Sequence, residues 1–439
     1  MATRFVNIDR QTAMLLPPDL KEWVADNDLA KFILEAVEVT DTADAALNVR
    51  GSGSEQYPPA MMLAVLIYCY ATGTFGSRRI ERATFDSVAV RYLCANTHPD
   101  HDTIATFRRS NEALLRRCFV SVLELARESG LLRLGSVSLD GTKVAGSASK
   151  GRTFNCEQLE GQIAALEKEV GARLRQAELA DVSVAEDGYT LPESHRDAER
   201  RMAKLRQAKA RLEARAAAQR AKKKAPSDKA PPPPPPGSAP PRSPRATRIN
   251  LTDNDSGLMP TRERVFIQGY NSQTVIDGEG IGLIAGAHVV NATNDRKQLE
   301  AGVQSIPACL PRPQAVLADT GYDNATQIEA VEKGGQTLVY CKPQGKKKTS
   351  LGRAYRLTRS RKALLEQRQK MRQRLAQPEG ARLYARRQVW SEAPFHVIKN
   401  ILGFRRFNLR GLAKVNLEWQ LVALAYNCRK MAAAQAVTC

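Results

Sequence analysis

The stretch AVLADTGYDNATQIEAVEKGGQTLVYC, residues 315–341, decides the fold class of this chain. The apolar runs at its two ends predict β-strands, and the segment between them has turn residues followed by helical spacing. A strand, a helix and a second strand in this order are typical of an α/β sheet. Upstream, VFIQGYNSQTVID (265–277) and GLIAGAHVVNA (282–292) predict two further strands, and a helix is predicted from about Asp295.

An earlier segment adds a strand signal with an Asp-Gly pair at its centre. Residues 136–139 alternate between polar and apolar side chains, and residues 142–145 resume a strand pattern. Asp140-Gly141 between them is typical of a two-residue hairpin turn. We therefore expect a β-hairpin over residues 136–145, with Asp140 at the end of a strand.

Residues 1–133 have the pattern of an all-helical amino-terminal domain. Apolar residues recur with helical spacing from Leu15 to about Leu132, and Pro-Pro and Gly-Ser pairs separate the predicted helices. One long helix is predicted over residues 103–130, ending at Gly130. Its arginines form a candidate DNA-binding face, comprising Arg108, Arg109, Arg116 and Arg117.

Two segments interrupt the predicted sheet. Within residues 156–248, apolar side chains at three- and four-residue spacing predict an antiparallel helical hairpin with coiled-coil packing, followed by a linker rich in Pro, Lys and Arg. Residues 346–387 predict a basic helical insertion. The sheet is then divided between residues 134–155 and 249–345, and residues 388–439 predict a closing set of helices.

The charge of the chain indicates a polyanionic partner. Its 439 residues include 66 Lys and Arg against 46 Asp and Glu, a net charge of +20. Such an excess favours nucleic acid over a neutral small molecule as the partner. The longest apolar stretch, residues 60–71, is too short to span a bilayer, so we expect a cytoplasmic protein without a membrane partner. The eight cysteines contain no CxxC pair, which predicts reduced and mostly buried thiols.

Three acidic residues lie at the predicted ends of strands or start of a helix, where their side chains are expected to be accessible. Asp140 and Asp319 each end a predicted strand, and Glu392 opens a predicted helix with Ser391 as its N-cap and Pro394 in its first turn. Singly, each has an ordinary role in a turn or cap. Together, such carboxylates can hold two hard divalent cations and leave positions open for phosphate oxygens and water. The combination predicts phosphodiester cleavage.

A lysine lies on the same helical face as the third acid. Lys399 follows Glu392 by seven residues, which places it two turns further along the same side of a helix. A cation there can hold a DNA phosphate.

Several motifs in one order link the chain to a known family. They are LLPPDL, YPPAMMLAVLIYCYATGTFGSRRIERATFDSVAVRYLCAN, HPDHDTIATFRR, LDGTKV, QGYNSQTVID, LADTGYDN and SEAPFHVIKNILGFRRFNLRGLAKV. With them the chain resembles the DDE transposases of bacterial insertion sequences, in the IS-four/IS-five superfamily, and most of all the branch called the eleven-eighty-two family. The resemblance covers roughly residues 12–153, 250–345 and 385–430.

The resemblance implies a fold and a set of catalytic acids. The fold is an α/β ribonuclease-H-like catalytic core with a mixed sheet, preceded by the all-helical DNA-binding domain and interrupted by the coiled-coil insertion. Asp140, Asp319 and Glu392 match the catalytic and metal-binding acids, and Mg²⁺ is the implied cofactor, as two ions, with Mn²⁺ as an alternative. Tyr384, Arg387, Glu392 and Lys399 match the superfamily pattern around its last acid, with one additional residue between Arg387 and Glu392.

The predicted function is therefore DNA transposition. The enzyme would bind terminal inverted repeats, cleave DNA and join the freed end to target DNA, as a homo-oligomer in the synaptic complex and associated with the nucleoid when bound. The alternatives are a catalytically inactive, transposase-derived DNA-binding protein and a ribonuclease-H-like nuclease. Residues that are candidates for DNA contacts, or alternatively for packing, are Tyr322, Lys399, Arg405, Arg406 and Arg410. Candidates for groups that support the acids, or for turn and cap roles, are Asn271, Asp277 and Asp295.

Overall fold

The computed structural model of the chain describes most of the predicted elements. The described residues are 19–46, 56–181, 193–224, 248–261, 265–344 and 359–438. The proline-rich linker, residues 225–247, and the first part of the predicted basic insertion, residues 345–358, lie outside them.

Within residues 19–46 and 56–133, six α-helices form the amino-terminal domain, as predicted. They are α1 (Leu29–Glu38), α2 (Pro59–Ala71), α3 (Ser77–Asp86), α4 (Val88–Leu93), α5 (His101–Ser110) and α6 (Glu112–Glu128). The single helix predicted over residues 103–130 is wrong, because Asn111 divides it into α5 and α6. The Asn111 side chain donates to the Phe107 carbonyl and accepts from the Ala46 amide, bonds that compete with a continuous helix.

The remainder of the described chain alternates between strands and helices. Its strands are β1 (Ser136–Ala145), β2 (Thr153–Phe154), β3 (Ile249–Asn250), β4 (Gly257–Pro260), β5 (Phe266–Asp277), β6 (Ile284–Val290), β7 (Ala315–Ala318) and β8 (Leu338–Cys341). Its α-helices are α7 (Cys156–Asp181), α8 (Glu193–Lys224), α9 (Leu299–Gln304), α10 (Ala325–Glu332), α11 (Arg359–Ala376), α12 (Pro378–His396) and α13 (Leu412–Thr438).

The main sheet is mixed, with β1 at its centre. β1 pairs antiparallel with β5 on one side and parallel with β7 on the other, and β7 pairs parallel with β8. β4 and β6 both pair antiparallel with β5, along different parts of its length. The strands predicted from apolar runs in residues 265–341 are therefore confirmed, and the α/β fold class with them.

The hairpin predicted at Asp140-Gly141 is wrong. β1 is one continuous strand, paired with β5 from Val137 opposite Asp277 to Ala145 opposite Gly269. Pairing with β5 continues through Asp140 and Gly141 and holds the chain extended, so Asp140 lies in mid-strand. Gly141 is required for close packing rather than for a turn, because a Cβ there would lie 2.2 Å from Gln273 Nε2.

The predicted helical insertion contains two long helices that lie side by side. Salt bridges join Glu160 to Lys209 and Glu167 to Arg206, so α7 and α8 run in opposite directions. Beneath these pairs is an apolar cluster of Leu159, Leu166, Leu205, Ala208, Leu212 and Ile249. β2 pairs with β3, so the chain leaves the core and returns to it at one place. Coiled-coil packing of this pair stays a prediction.

α13 joins the amino-terminal domain to the sheet. It packs against α2 and α6 on one side and β6 on the other. Trp419 and Tyr426 are buried, as predicted for core residues, and the Trp419 indole donates to the Gln273 carbonyl. One apolar core therefore extends from the amino-terminal helices into the sheet.

In the described ranges, none of the helices combines the length and apolar character needed to span a bilayer. The cysteines in these ranges are free thiols, five of them buried, as predicted.

Candidate active site

Asp140 and Asp319 lie beside each other on adjacent parallel strands. Leu139 of β1 is directly opposite Ala318 of β7, and each aspartate is the next residue along. Asp319 ends β7, as predicted, and accepts a 2.7 Å hydrogen bond from the Thr320 amide at the start of a short 3-10 helix. The register of two strands thus brings together two acids that are far apart in sequence.

The electrostatic environment of Asp140 disfavours its charge. Burial raises the pKa of Asp140 to about 6, and the carboxylates of Asp319 and Asp295 contribute to the increase. The Gly141 amide and the Arg387 guanidinium favour the ionised form, but they offset only part of this increase in the pKa. An oxygen-only set with surplus negative charge suits a hard divalent cation, so these acids fit the implied metal.

Asp295 belongs to a polar network on the face of β1 that is opposite to the face of Asp140. Its Oδ1 accepts hydrogen bonds from Asn271 Nδ2 at 2.6 Å and Gln273 Nε2 at 2.7 Å, and Lys143 Nζ lies 3.7 Å away. Burial lowers the pKa of Lys143, and Asp295 partly restores it. This network lies directly behind Gly141, whose missing side chain leaves room for it.

The structure separates Asp277 from these groups. Its buried carboxylate accepts from the amides of Arg133 and Leu134 and from that of Gly280. Asp277 therefore has the turn role that the sequence left open, whereas Asn271 and Asp295 contact each other near the acids.

Glu392 does not open a helix, and that prediction is wrong. It lies near the carboxyl end of α12, which begins at Pro378 and runs through the predicted boundary between residues 387 and 388. Ser391 is not an N-cap but is buried, with its hydroxyl donating to the Arg387 carbonyl at 2.7 Å. Pro394 lies inside the helix, which continues as a π-helix over Val397–Ile401.

The physical reason lies at the start of α12. Proline is favoured at the first helical position, and Pro378 occupies it. The signal attributed to Pro394 therefore belongs to a different proline, sixteen residues earlier. The π-helix directly after His396 provides the local adjustment by which the chain accommodates Pro394.

Contacts along α12 place it over the two aspartates. The Tyr384 hydroxyl donates to the Ala318 carbonyl at 3.3 Å, and Arg387 Nη2 lies 3.9 Å from Asp319 Oδ1. Glu392 is exposed and accepts a hydrogen bond from Gln388 at 3.0 Å. The structure therefore brings Asp140 and Asp319 together beneath α12 but does not bring Glu392 into contact with them.

Where side chains are described, one group of three potential metal ligands has its ligand atoms within 4.8 Å of one another. It consists of Cys156, Glu160 and Glu213 at the base of α7 and α8. Lys209 forms salt bridges with both glutamates, so this group is already neutralised in part by a cation of the chain.

The residues predicted to contact DNA differ in accessibility. Tyr322 is 1% exposed and its hydroxyl donates to Gln273, so the predicted DNA contact is wrong and the ring has a packing role. Lys399 Nζ donates to Thr142 Oγ1 and to the Lys143 carbonyl, which holds the π-helix against β1. Thr142 shares the face of Asp140 on β1, so Lys399 approaches on that side.

Arg405, Arg406 and Arg410 are exposed on a loop that follows the π-helix. This loop runs beside the end of β1: the Ala145 amide donates to the Arg405 carbonyl, and the Phe407 amide donates to the Ala145 carbonyl. The three guanidinium groups are thus held near the carboxyl end of the strand that carries Asp140.

Two basic grooves adjoin this loop. The strand groove, of about 620 Å³, is lined by four basic residues, Lys150, Arg152, Arg406 and Arg410, together with small polar and apolar groups. The interdomain groove, of about 720 Å³, lies between this loop and the amino-terminal domain. Arg406 lines both, so the two grooves are neighbours.

The predicted basic face of residues 103–130 is not present as such. Arg108 is buried, Arg116 pairs with Glu112 at 2.7 Å, and Arg117 pairs with Asp44. Because the predicted helix is divided at Asn111, these arginines lie on two helices, α5 and α6, and do not share one face.

Sequence reasoning missed Gln273 and Lys143, and among the basic groove residues outside the loop it missed Arg78, Arg79, Lys150 and Arg152. A signal for Gln273 existed, because Asn271 and Gln273 stand two residues apart in a predicted strand and so place polar side chains on one of its faces. Polar side chains on one face of a buried strand indicate a polar site.

Comparisons with known proteins agree with this architecture. Two family models match the chain, the Transposase DDE domain over residues 247–428 and the Transposase domain (DUF772) over residues 18–110, and together they cover more than half of it. No curated protein and no solved structure is significantly similar to the chain. The DDE domain implies a ribonuclease-H-like fold, and the mixed sheet with its helices has that character. The two matches identify a transposase DDE domain and an amino-terminal transposase domain in the chain, and they support a DDE transposase of the bacterial insertion-sequence type.

Proposed function

We propose that the protein binds the terminal inverted repeats of an insertion sequence, cleaves the DNA there and joins the freed 3′ hydroxyl to target DNA. The observation that carries the proposal is the pair formed by Asp140 and Asp319 within a DDE transposase chain. Their carboxylates lie on adjacent strands, and the pKa of Asp140 is raised by burial and by neighbouring negative charge. Paired carboxylates with surplus charge are suited to binding Mg²⁺ or Mn²⁺.

Asp140 and Asp319 are the proposed metal ligands, and Glu392 is the proposed third. Two bound divalent cations would lower the pKa of the attacking water or hydroxyl and stabilise the leaving oxygen. Arg387, 3.9 Å from Asp319, balances charge on the pair and fixes α12 above it. Glu392 comes from the same helix, and its hydrogen bond to Gln388 is a surface contact that a change of rotamer breaks at a cost of about 1 kcal/mol.

The basic loop gives the proposed DNA path. Ala145, whose backbone bonds to Arg405 and Phe407, lies five residue steps along β1 from Asp140, a distance of roughly 16 Å at about 3.3 Å per strand residue. That is about half a turn of B-form DNA. A duplex that contacts Arg406 and Arg410 can therefore also reach the two aspartates, about half a turn further along its axis.

The test uses end-labelled element DNA with Mg²⁺, Mn²⁺ or a chelator. We expect cleavage at the element ends, dependent on the cation and leaving 3′ hydroxyls that become joined to a second DNA. Binding without cleavage under every cation would contradict the enzyme and support the DNA-binding alternative. Equal cleavage of unrelated DNA would instead support the ribonuclease-H-like nuclease.

Affinity for DNA should fall steeply with salt. The net charge of +20 and the two basic grooves provide contacts to many phosphates, and each contact contributes a slope of about −0.9 in log K against log salt. With six or more contacts, affinity should fall about 10³-fold or more between about 50 and 200 mM salt. Fluorescence anisotropy over a salt series measures the slope, and a flat response would contradict the phosphate contacts.

A further inference from the structure

The interdomain groove concentrates positive charge contributed by both domains. Its arginines are Arg78, Arg79, Arg108, Arg405 and Arg406. One carboxylate, Asp102, also lines it, and His101 beside it is 2.9 Å from Glu81. The groove therefore has a clear excess of cations over anions.

Aromatic packing beneath the groove fixes its two walls relative to each other. Phe75 contacts Phe404 edge to face with ring centroids 5.0 Å apart. Phe75 leads into α3, where Arg78 and Arg79 lie, and Phe404 precedes Arg405 directly. The two arginine pairs are thus held on opposite sides of the groove.

A buried hydrogen-bond network holds the wall of the amino-terminal domain. Arg108 is 4% exposed, and its Nη1 donates to the Tyr70 hydroxyl at 2.8 Å and to the Phe75 carbonyl at 2.9 Å. Arg108 therefore positions the segment that carries Arg78 and Arg79 and is not itself open to a ligand.

The accessible arginines of the groove are not neutralised by acids. Within the described part of the chain, Arg78, Arg79 and Arg406 have no salt bridge, and Arg405 donates to neutral acceptors, the Lys399 carbonyl and Asn400 Oδ1. By contrast, Arg82, one turn further along α3, pairs with Asp86 at 2.9 Å. The first turn of α3 also contains no acidic residue.

We propose that the interdomain groove binds the phosphate backbone of double-stranded DNA independently of its sequence. Arg78 and Arg79 contact it from the amino-terminal domain and Arg405 and Arg406 from the catalytic domain, so one DNA backbone bridges both. The partner follows from the proposed function, on which this inference rests. Because Arg406 also lines the strand groove, the bound backbone continues towards the end of β1.

The test compares the double variant Arg78→Ala/Arg79→Ala with the control Arg82→Ala. The probe is a random-sequence duplex of about 20 base pairs, two helical turns, in a chelator. We expect the double variant to lose about 1.8 from the magnitude of the salt slope, and roughly 30-fold in affinity at about 0.15 M salt, because two phosphate contacts are lost. Arg82→Ala should bind like the parent. Arg78→Lys/Arg79→Lys should retain most of the affinity, since the charge is kept.

Two outcomes would overturn the proposal. One is a double variant that binds random DNA as well as the Arg82→Ala control does, with an unchanged salt slope. The other is a loss confined to element-end DNA, which would indicate base recognition. Both readouts are made without cleavage, so failure of the transposition reaction in the parent protein is a separate result. Thermal unfolding of each variant checks that these exposed substitutions leave the fold intact.

Discussion

Replacing Asp140 by asparagine should abolish DNA cleavage and at the same time stabilise the metal-free protein. Asparagine keeps the size of the side chain but removes the charge that binds a cation, so we expect cleavage to fall by roughly 10³-fold or more. Stability should change in the opposite direction, because the pKa of Asp140 is raised to about 6 from the model-peptide value of 3.8.

The sign of the stability effect follows from this shift. A pKa that is higher in the folded state favours folding below the unfolded pKa, and that contribution is lost as the pH rises through about 6. At pH 8 the ionised carboxylate therefore costs about 3 kcal/mol of folding free energy, at about 1.36 kcal/mol per pKa unit. Asp140→Asn removes this cost, so its advantage over the parent should be largest at pH 8 and disappear near pH 4.

Cleavage of end-labelled DNA and thermal unfolding in a chelator measure the two effects. Asp319→Asn and Glu392→Gln should also lose cleavage, and double variants should lose little more, as for residues that act as one unit. Glu329→Gln, an exposed acid on α10, is the matched control. Cleavage within a few-fold of the parent in any one of the three variants would return that residue to a turn, cap or surface role.

Replacing Glu418 by alanine should destabilise the protein by about 3–5 kcal/mol. Glu418 is fully buried in α13 and accepts hydrogen bonds from the Tyr70 hydroxyl and from the backbone amides of Asn408 and Leu409, each at 2.9 Å. Tyr70 in turn accepts from Arg108. Alanine would leave these donors unsatisfied and the buried Arg108 charge without compensation.

Urea unfolding at neutral pH measures this loss as a shift in the midpoint. Glu128→Ala, at the exposed end of α6, should change stability by less than about 0.5 kcal/mol. Tyr70→Phe should cost less than Glu418→Ala, because it keeps the carboxylate and its backbone contacts. A cost below about 1 kcal/mol for Glu418→Ala would mean that Arg108 finds compensation elsewhere.

The strands between residues 265 and 341 were predictable because buried apolar runs bounded by turn residues leave few alternatives. The continuity of β1 through Asp140 was not predictable, because the local preference of Asp-Gly for a turn is overridden by pairing with β5. Such pairing depends on residues far away in sequence. The start of α12 was missed for a related reason, since two prolines, Pro378 and Pro394, offer the same local signal.

The candidate site divides in the same way. Asp140 and Asp319 could be selected by their positions next to strand patterns, and the register of β1 and β7 accounts for their approach. The contact of Asp295 with Asn271 and Gln273 could not be predicted from the sequence, because it requires a loop after β6 to fold back over β5. The pairing of Phe75 with Phe404 likewise depends on packing between distant parts of the chain.

The shared core around α13 fixes the distance between the amino-terminal domain and the sheet. Because α13 packs on both α2 and β6, the helices of the amino-terminal domain cannot swivel freely relative to the sheet. If the amino-terminal domain binds DNA and the acids of the sheet cleave it, the spacing between the bound site and the cleaved site is set by this rigid packing rather than by a flexible linker. Each base pair added between them would rotate the scissile phosphate by about 34° around the duplex, at about 10.5 base pairs per turn. Tolerance for such insertions would then follow the helical phase of the DNA and not its length alone.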